Sequence, residues 1–175
     1  MRTRWIDATL AGNNNKPGQI MEFQAKEDIE APIDRVFAAL SDINGIERQA
    51  LRRGIKVRRI TPHDAPEAGM RWNAGFKFRG RDMTADVLLA RFDAPEAMMF
   101  EGQSGGLDTT FQIDLTALSP GRTRMAITAA LLPRTLSARL LVQSLKLAKG
   151  RVTRKFSVRV AQFAKSVEEK AAKPT

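Results

Sequence analysis

The residues that could carry acid–base chemistry are few in this chain. Its 175 residues include one histidine, His63, and neither cysteine nor tyrosine. These counts exclude a disulfide framework, a thiolate metal site, a cysteine nucleophile and a two-histidine acid–base pair. His63 stands in a proline-flanked loop beside Asp64, where a histidine is usually solvated, so we assign it no catalytic role.

Two charged residues fall in the inward-facing register of predicted strands. Glu27 lies between Ala25 and Ile29, and Arg91 follows Leu89 at the same two-residue spacing. Because an unpaired buried charge is costly, the two could pair and orient the polar group of a ligand. The alternative is that both strand ends are open to solvent, where neither charge needs a partner.

Glycine-rich stretches and metal-ligand spacings give no further site. Ser104-Gly105-Gly106 could supply backbone donors to an anion, but a hairpin turn explains these residues more simply. The sequence has no glycine-rich phosphate motif and no metal-ligand spacing. We therefore expect no cofactor and no metal, and we predict no catalytic residue.

Hydrophobic alternation predicts the strands that must position these residues. An opening strand over residues 22–30 precedes two short helices, near 33–40 and 42–51. Further strands are predicted over 55–60, 69–79, 83–92, 97–103, 107–118 and 122–132. Because short turns join most of these strands, they must be antiparallel neighbours.

A helical pattern follows Pro133 and runs over residues 134–170, interrupted only by Gly150. Its apolar residues form the stripe of a helix that lies on a core. They are Leu141, Leu145, Ala148, Val152, Phe156, Val160, Phe163 and Val167. At roughly 54 Å the helix would exceed a ten-residue strand of about 33 Å. It must therefore cross the sheet obliquely, bend near Gly150 or overhang it.

The positive charge belongs to the same helix. The net charge is +10, and residues 134–167 hold nine Lys or Arg and no Asp or Glu. Most of these charges point away from the stripe, as on the solvated face of a core helix. Leu136, Leu140 and Leu147 also lie opposite the stripe. Either loops pack over them, or that surface meets a membrane, a ligand or a partner.

The order of elements resembles the helix-grip fold of the START and polyketide-cyclase-like superfamily, often called SRPBCC. The matching stretches are IEAPIDRVFAALSDI, GMRWNAGFKFRG and LPRTLSARLLVQSLKLAKGRVTRKF, and the resemblance covers about 22–170. It implies an α+β fold with a curved antiparallel sheet of about seven strands around a long C-terminal helix. It further implies a cavity between sheet and helix for an apolar ligand such as a lipid, an isoprenoid or a polyketide.

Inward-facing apolar residues would line such a cavity, since aromatic rings and methionines suit an adaptable apolar pocket. We predict the lining to be Phe37, Trp72, Phe76, Phe78, Met83, Met98, Phe100, Phe111, Leu141 and Leu145. Glu27 and Arg91 are the candidate polar groups. The alternative is a filled core made of the same residues.

Three functions remain open at this point. The first is binding or carrying of a hydrophobic small molecule without chemistry. The second is an enzyme of the cyclase or dehydratase kind in the same cavity. The third is a peripheral membrane protein that uses the basic C-terminal helix on an anionic surface. Nucleic acid is not expected as a partner, because base stacking needs exposed aromatic rings and the aromatic residues here read as interior.

The domain organisation is simple. We expect residues 1–20 to be a poorly ordered N-terminal extension, 21–170 a single domain, and 171–175 a tail. The chain has no run of 18 apolar residues, and its start lacks the apolar segment of a signal peptide. These features favour a cytoplasmic location.

Overall fold

Seven strands form one antiparallel sheet in a computed structural model that describes residues 20–61 and 65–173. The strands are β1 (Met21–Ile29), β2 (Lys56–Arg59), β3 (Arg71–Phe78), β4 (Arg81–Asp93), β5 (Ala97–Ser104), β6 (Leu107–Ser119) and β7 (Arg122–Pro133). Their order across the sheet is β1-β7-β6-β5-β4-β3-β2. The predicted fold class is confirmed. Residues 1–19 of the expected extension, and His63 with Asp64, lie outside the described residues.

Four helices accompany the sheet within the described part of the chain. They are α1 (Ile33–Leu40), α2 (Ile43–Arg52), α3 (Leu136–Leu147) and α4 (Lys149–Ala171). Asp42 caps α2, because its side chain accepts a hydrogen bond from the Gly45 backbone N–H at 2.8 Å. Among the described residues, no helix is both long enough and apolar enough to cross a bilayer.

The C-terminal helical segment bends at Ala148, two residues before the predicted break at Gly150. Ala148 has φ −102° and ψ 19°, outside the helical range, and it separates α3 from α4. Gly150 instead lies in the first turn of α4. The bend replaces one straight rod with helices of about 18 and 35 Å, which fit the length of the strands.

The core lies between the inner face of the sheet and the helices. Val160, Ala164 and Val167 of α4 pack with Met125 and Ile127 of β7, and all five are buried. The backbone of α4 runs beside β1 and α1. A second, smaller cluster joins Met21, Phe23 and Val142 at the other end of the sheet. In α3 the fully buried residues are Ala138 and Val142, whereas the predicted Leu141 and Leu145 are half-buried.

The turn between β5 and β6 anchors the start of α3. Gly105 and Gly106 form this turn, as predicted, and the Gly106 carbonyl accepts a hydrogen bond from the Arg134 N–H at 2.7 Å. The Arg134 guanidinium also pairs with Asp108 at 2.6 Å. Thr135 caps α3 by accepting from the Ala138 N–H at 3.3 Å. Its side chain lies directly over Gly106, where an added Cβ would overlap it.

This packing predicts unequal effects for two neighbouring substitutions. Gly106→Ala should destabilise the chain by about 2–4 kcal/mol, because φ is +77° and the new methyl group meets Thr135. Gly105→Ala should cost only about 1 kcal/mol, since its φ of +54° suits the left-handed region and the nearest atom is the flexible Met83 Cε at 2.9 Å. Urea denaturation of both variants measures the two losses in the free energy of unfolding, and equal losses would contradict the prediction.

Candidate ligand-binding site

The inner face of the sheet carries a patch of small residues. Ala74 of β3 pairs with Ala85 of β4, and Gly102 of β5 pairs with Val87 of β4. Alternation from buried Trp72 and Leu89 places Ala74, Ala85 and Gly102 on the inner face. Each of these positions carries a methyl group or less, and the Thr109 side chain of β6 lies over Gly102, where its hydroxyl donates to the Gly102 carbonyl at 3.3 Å. We call these three residues the floor.

Larger apolar side chains surround the floor without closing over it. Those on β3 to β6 are Phe76, Met83, Val87, Phe100, Leu107 and Phe111, and each is half-buried although it points inward. Among the strands, β1 at one edge of the sheet is the one that the backbone of α4 approaches closely. An apolar inner face therefore stays partly open to solvent.

The helices form the opposite wall of this space. Leu141 and Leu145 of α3 and Val152 and Phe156 of α4 are half-buried on their inward sides. Phe156 also packs on Phe23 of β1, with ring centroids 5.8 Å apart. The side chains that face one another here are mostly apolar, with the Thr109 hydroxyl of β6 beside Gly102 as a polar exception.

A polar cluster closes one end of the site. Glu47 of α2 accepts a hydrogen bond from the Trp72 indole N–H at 2.7 Å and pairs with the Arg59 guanidinium at 2.9 Å. Arg59 also donates to the Asn44 side-chain oxygen at 2.8 Å. These bonds tie α2 to β2 and β3. The sequence analysis missed Glu47 and Arg59, although a buried tryptophan regularly needs a partner for its N–H and so signals that an acceptor must lie near.

Comparison with solved structures identifies the architecture. A truncated norcoclaurine synthase from Thalictrum flavum superposes with a TM-score of 0.65 at 10% identity, covering 93% of this chain and 100% of that one. The same enzyme in complex with dopamine and hydroxybenzaldehyde gives 0.63 at 10% identity, covering 93% and 96%. An aromatase/cyclase from Streptomyces sp. R1128 gives 0.56 at 13% identity, covering 87% and 93%.

The chain has the helix-grip fold that the order of elements predicted. Neither a protein-family model nor a curated protein sequence matches it. At these identities the likeness concerns the helix-grip fold alone.

Six of the predicted lining residues lie half-buried around the region between the floor and α3, and four lie elsewhere or at its end. Those that border it are Phe76, Met83, Phe100, Phe111, Leu141 and Leu145. Trp72 is buried at the end beside Glu47. Phe37 and Met98 are buried in the main core, where Phe37 packs on Phe92 at 5.1 Å between ring centroids. Phe78 is 42% exposed and lies beneath the Arg79 guanidinium.

The prediction that Arg91 points inward is wrong, because a β-bulge interrupts β4. The register with β5 shifts between Leu89 and Arg91, so Phe92 takes the inner position opposite Met98. Arg91 is exposed and pairs with Asp93 at 2.5 Å. Glu27 is half-buried on the inner face of β1, opposite Met125. Three strands separate β1 from β4, so the proposed Glu27–Arg91 pair does not form.

A cleft lies against the outer face of the sheet. It measures about 400 Å³ and is bordered by Arg71, Asp86, Leu88 and Glu101. One oxygen of Glu101 is buried and has no hydrogen-bond partner among the described residues. Burial raises the pKa of this carboxyl above its usual value, and the nearby Asp108 charge adds to the effect.

Removing the acceptor from Trp72 should weaken the polar end of the site. Glu47→Ala leaves the buried indole N–H and the Arg59 guanidinium without this partner, and should cost about 2 kcal/mol. Glu47→Gln keeps an oxygen acceptor and should cost less than about 1 kcal/mol. Urea unfolding of the two variants measures the difference, and the idea fails if Gln is as harmful as Ala.

Glu101 should make stability depend on pH in a defined direction. Its folded-state pKa lies above the ordinary 4.5, so the folded state binds the proton more tightly and loses stability as pH rises above that value. Glu101→Gln should therefore stabilise the chain at pH 7, by on the order of 0.5 kcal/mol for a half-exposed group. The gain should disappear at pH values below 4.5. Unfolding curves of wild type and Glu101→Gln, recorded at pH values above and below 4.5, test this prediction. Glu96→Gln, which changes an exposed carboxylate, is the control.

Proposed function

We propose that the chain binds a small apolar molecule in the helix-grip space between the floor and the inward sides of α3 and α4. One observation carries this proposal: the inward-facing apolar side chains around the floor are only partly buried. Apolar surface at such a position gains free energy when an apolar ligand covers it, at about 25 cal/mol per Å². The apolar lining with a few polar groups at one end is typical of small-molecule sites.

The class of ligand follows from the lining. Phe76, Phe100, Phe111 and Phe156 offer ring faces and edges, which favour flat or aromatic molecules. Lipids, isoprenoids and polyketide-like compounds also suit a mostly apolar space. Two neighbours agree with this range, since one was solved with dopamine and hydroxybenzaldehyde and another is an aromatase/cyclase.

An enzyme in the same space is the second candidate. The observation that favours an enzyme is Glu27, a half-buried carboxylate on the inner face of β1. The mostly apolar lining of the floor and wall favours binding or carrying, because a cyclase or dehydratase needs a positioned acid or base near the ligand. Chemical conversion of a bound compound by the purified chain would favour the enzyme over a protein that only binds or carries.

A variant that fills the floor tests the proposal with a neutral fluorescent probe, N-phenyl-1-naphthylamine. The wild-type chain should bind it saturably and without dependence on salt. Ala85→Leu adds three carbons above the floor and should weaken binding at least about fivefold, equivalent to roughly 1 kcal/mol. Thr84→Leu is the matched control, since Thr84 is the preceding residue of β4 and faces outward.

Two results would contradict the proposal. One is equal affinity of the probe for the wild-type chain and Ala85→Leu, when circular dichroism shows both folded. The other is loss of probe binding on Leu140→Gln, which would place the probe on the exposed surface of α3 instead. Native mass spectrometry of the freshly purified chain, followed by organic extraction, identifies any ligand that is retained.

A further inference from the structure

Three leucines of α3 point away from the rest of the molecule. Leu136, Leu140 and Leu147 are 71%, 64% and 92% exposed. At 100° per residue they fall within about 40° of one another on the helix. The buried Ala138 and Val142 occupy the opposite side. We call the three residues the leucine stripe, and it spans about 16 Å along the helix.

Basic side chains flank the leucine stripe and continue onto α4. Arg139 lies beside it on α3, and Lys149, Arg151, Arg154 and Lys155 follow in the first two turns of α4. All five are exposed. No carboxylate within residues 20–61 and 65–173 forms an ion pair with any of them. Residues 134–167 contain no Asp or Glu, so no acidic neighbour in sequence offsets these five charges.

We propose that this surface docks on an anionic phospholipid bilayer, with the leucine stripe inserted among the acyl chains and the basic residues against the headgroups. An exposed apolar stripe with flanking Lys and Arg is the arrangement of interfacial helices, which lie in the plane of the membrane. Each basic residue near the surface adds to the attraction. The inference is independent of the proposed ligand, because the stripe faces away from the helix-grip space.

The composition of the surface favours a bilayer over other occupants. A second copy of the chain meeting the same face would bring two uncompensated basic surfaces together, which opposes a symmetric dimer. A nucleic acid would use the charges but leave the leucines exposed. Nucleic-acid bases would also find no exposed ring to stack on along α4, because its aromatic residues, Phe156 and Phe163, are half-buried on its inner side.

Co-sedimentation with vesicles tests the proposal on the full chain. Vesicles of phosphatidylcholine containing about one-third phosphatidylglycerol should bind the chain at low salt, and pure phosphatidylcholine should bind it at least about tenfold less. Binding to the anionic vesicles should weaken about tenfold as salt rises to about 0.5 M. Leu140→Trp adds a depth probe, because an inserted indole shifts its emission to the blue and is quenched by brominated lipid.

Matched variants separate insertion from charge. Leu140→Gln with Leu147→Gln should reduce binding about tenfold and keep its salt dependence. Arg151→Gln with Lys155→Gln should reduce binding by a similar factor and flatten the salt dependence. The controls are Leu51→Gln with Leu118→Gln, and Arg52→Gln with Arg53→Gln, which change exposed residues on other surfaces. Both controls should bind as wild type, and circular dichroism confirms folding.

Three outcomes would overturn the proposal. The first is equal binding to neutral and anionic vesicles. The second is a dimer in analytical ultracentrifugation that the leucine variants abolish, which would make the stripe an interface between copies. The third is binding of duplex DNA that competes with vesicles and survives the leucine substitutions, which would assign the surface to nucleic acid.

Discussion

A seven-stranded sheet is wider than the helix that packs on it, and this mismatch governs the rest of the molecule. At about 4.8 Å between strands the sheet is roughly 29 Å wide, whereas a helix with its side chains is about 10 Å across. Because α4 runs beside β1, its side chains seal the β1 and β7 side of the inner face. The short helices α1 and α2 cover the end near Phe37 and Trp72. The inner face around Ala85 is left with partial cover.

Two sets of polar contacts hold the helices at the two ends of this inner face. Glu47 holds α2 over the edge strands by taking bonds from Trp72 and Arg59. At the opposite end, the turn at Gly106 holds the first residues of α3 through Arg134 and Thr135. Both anchors lie at ends of the open space, so each fixes the position of one of its borders.

Most of the fold could be predicted from local patterns, and the exceptions share a physical cause. Alternation and turn residues determine each strand from neighbours in sequence, so the strands were predicted within a few residues. The bulge at Ala90 could not be predicted, because one extra residue leaves no mark on composition. It nevertheless moves every later side chain of β4 to the opposite face of the sheet. The bond from Trp72 to Glu47 was missed since it joins residues 25 positions apart. The break at Ala148 falls two residues before Gly150, the residue that local sequence marks as the helix breaker.

The bulge in β4 has a consequence for comparing this chain with relatives. Before Ala90 the inward positions of β4 are odd-numbered, such as Val87 and Leu89, and after it the inward position is Phe92. A related chain without the extra residue would keep one alternation throughout the strand. A correct alignment must therefore place a single gap at this point. An alignment that omits the gap would match a core phenylalanine to a surface charge and understate the relationship.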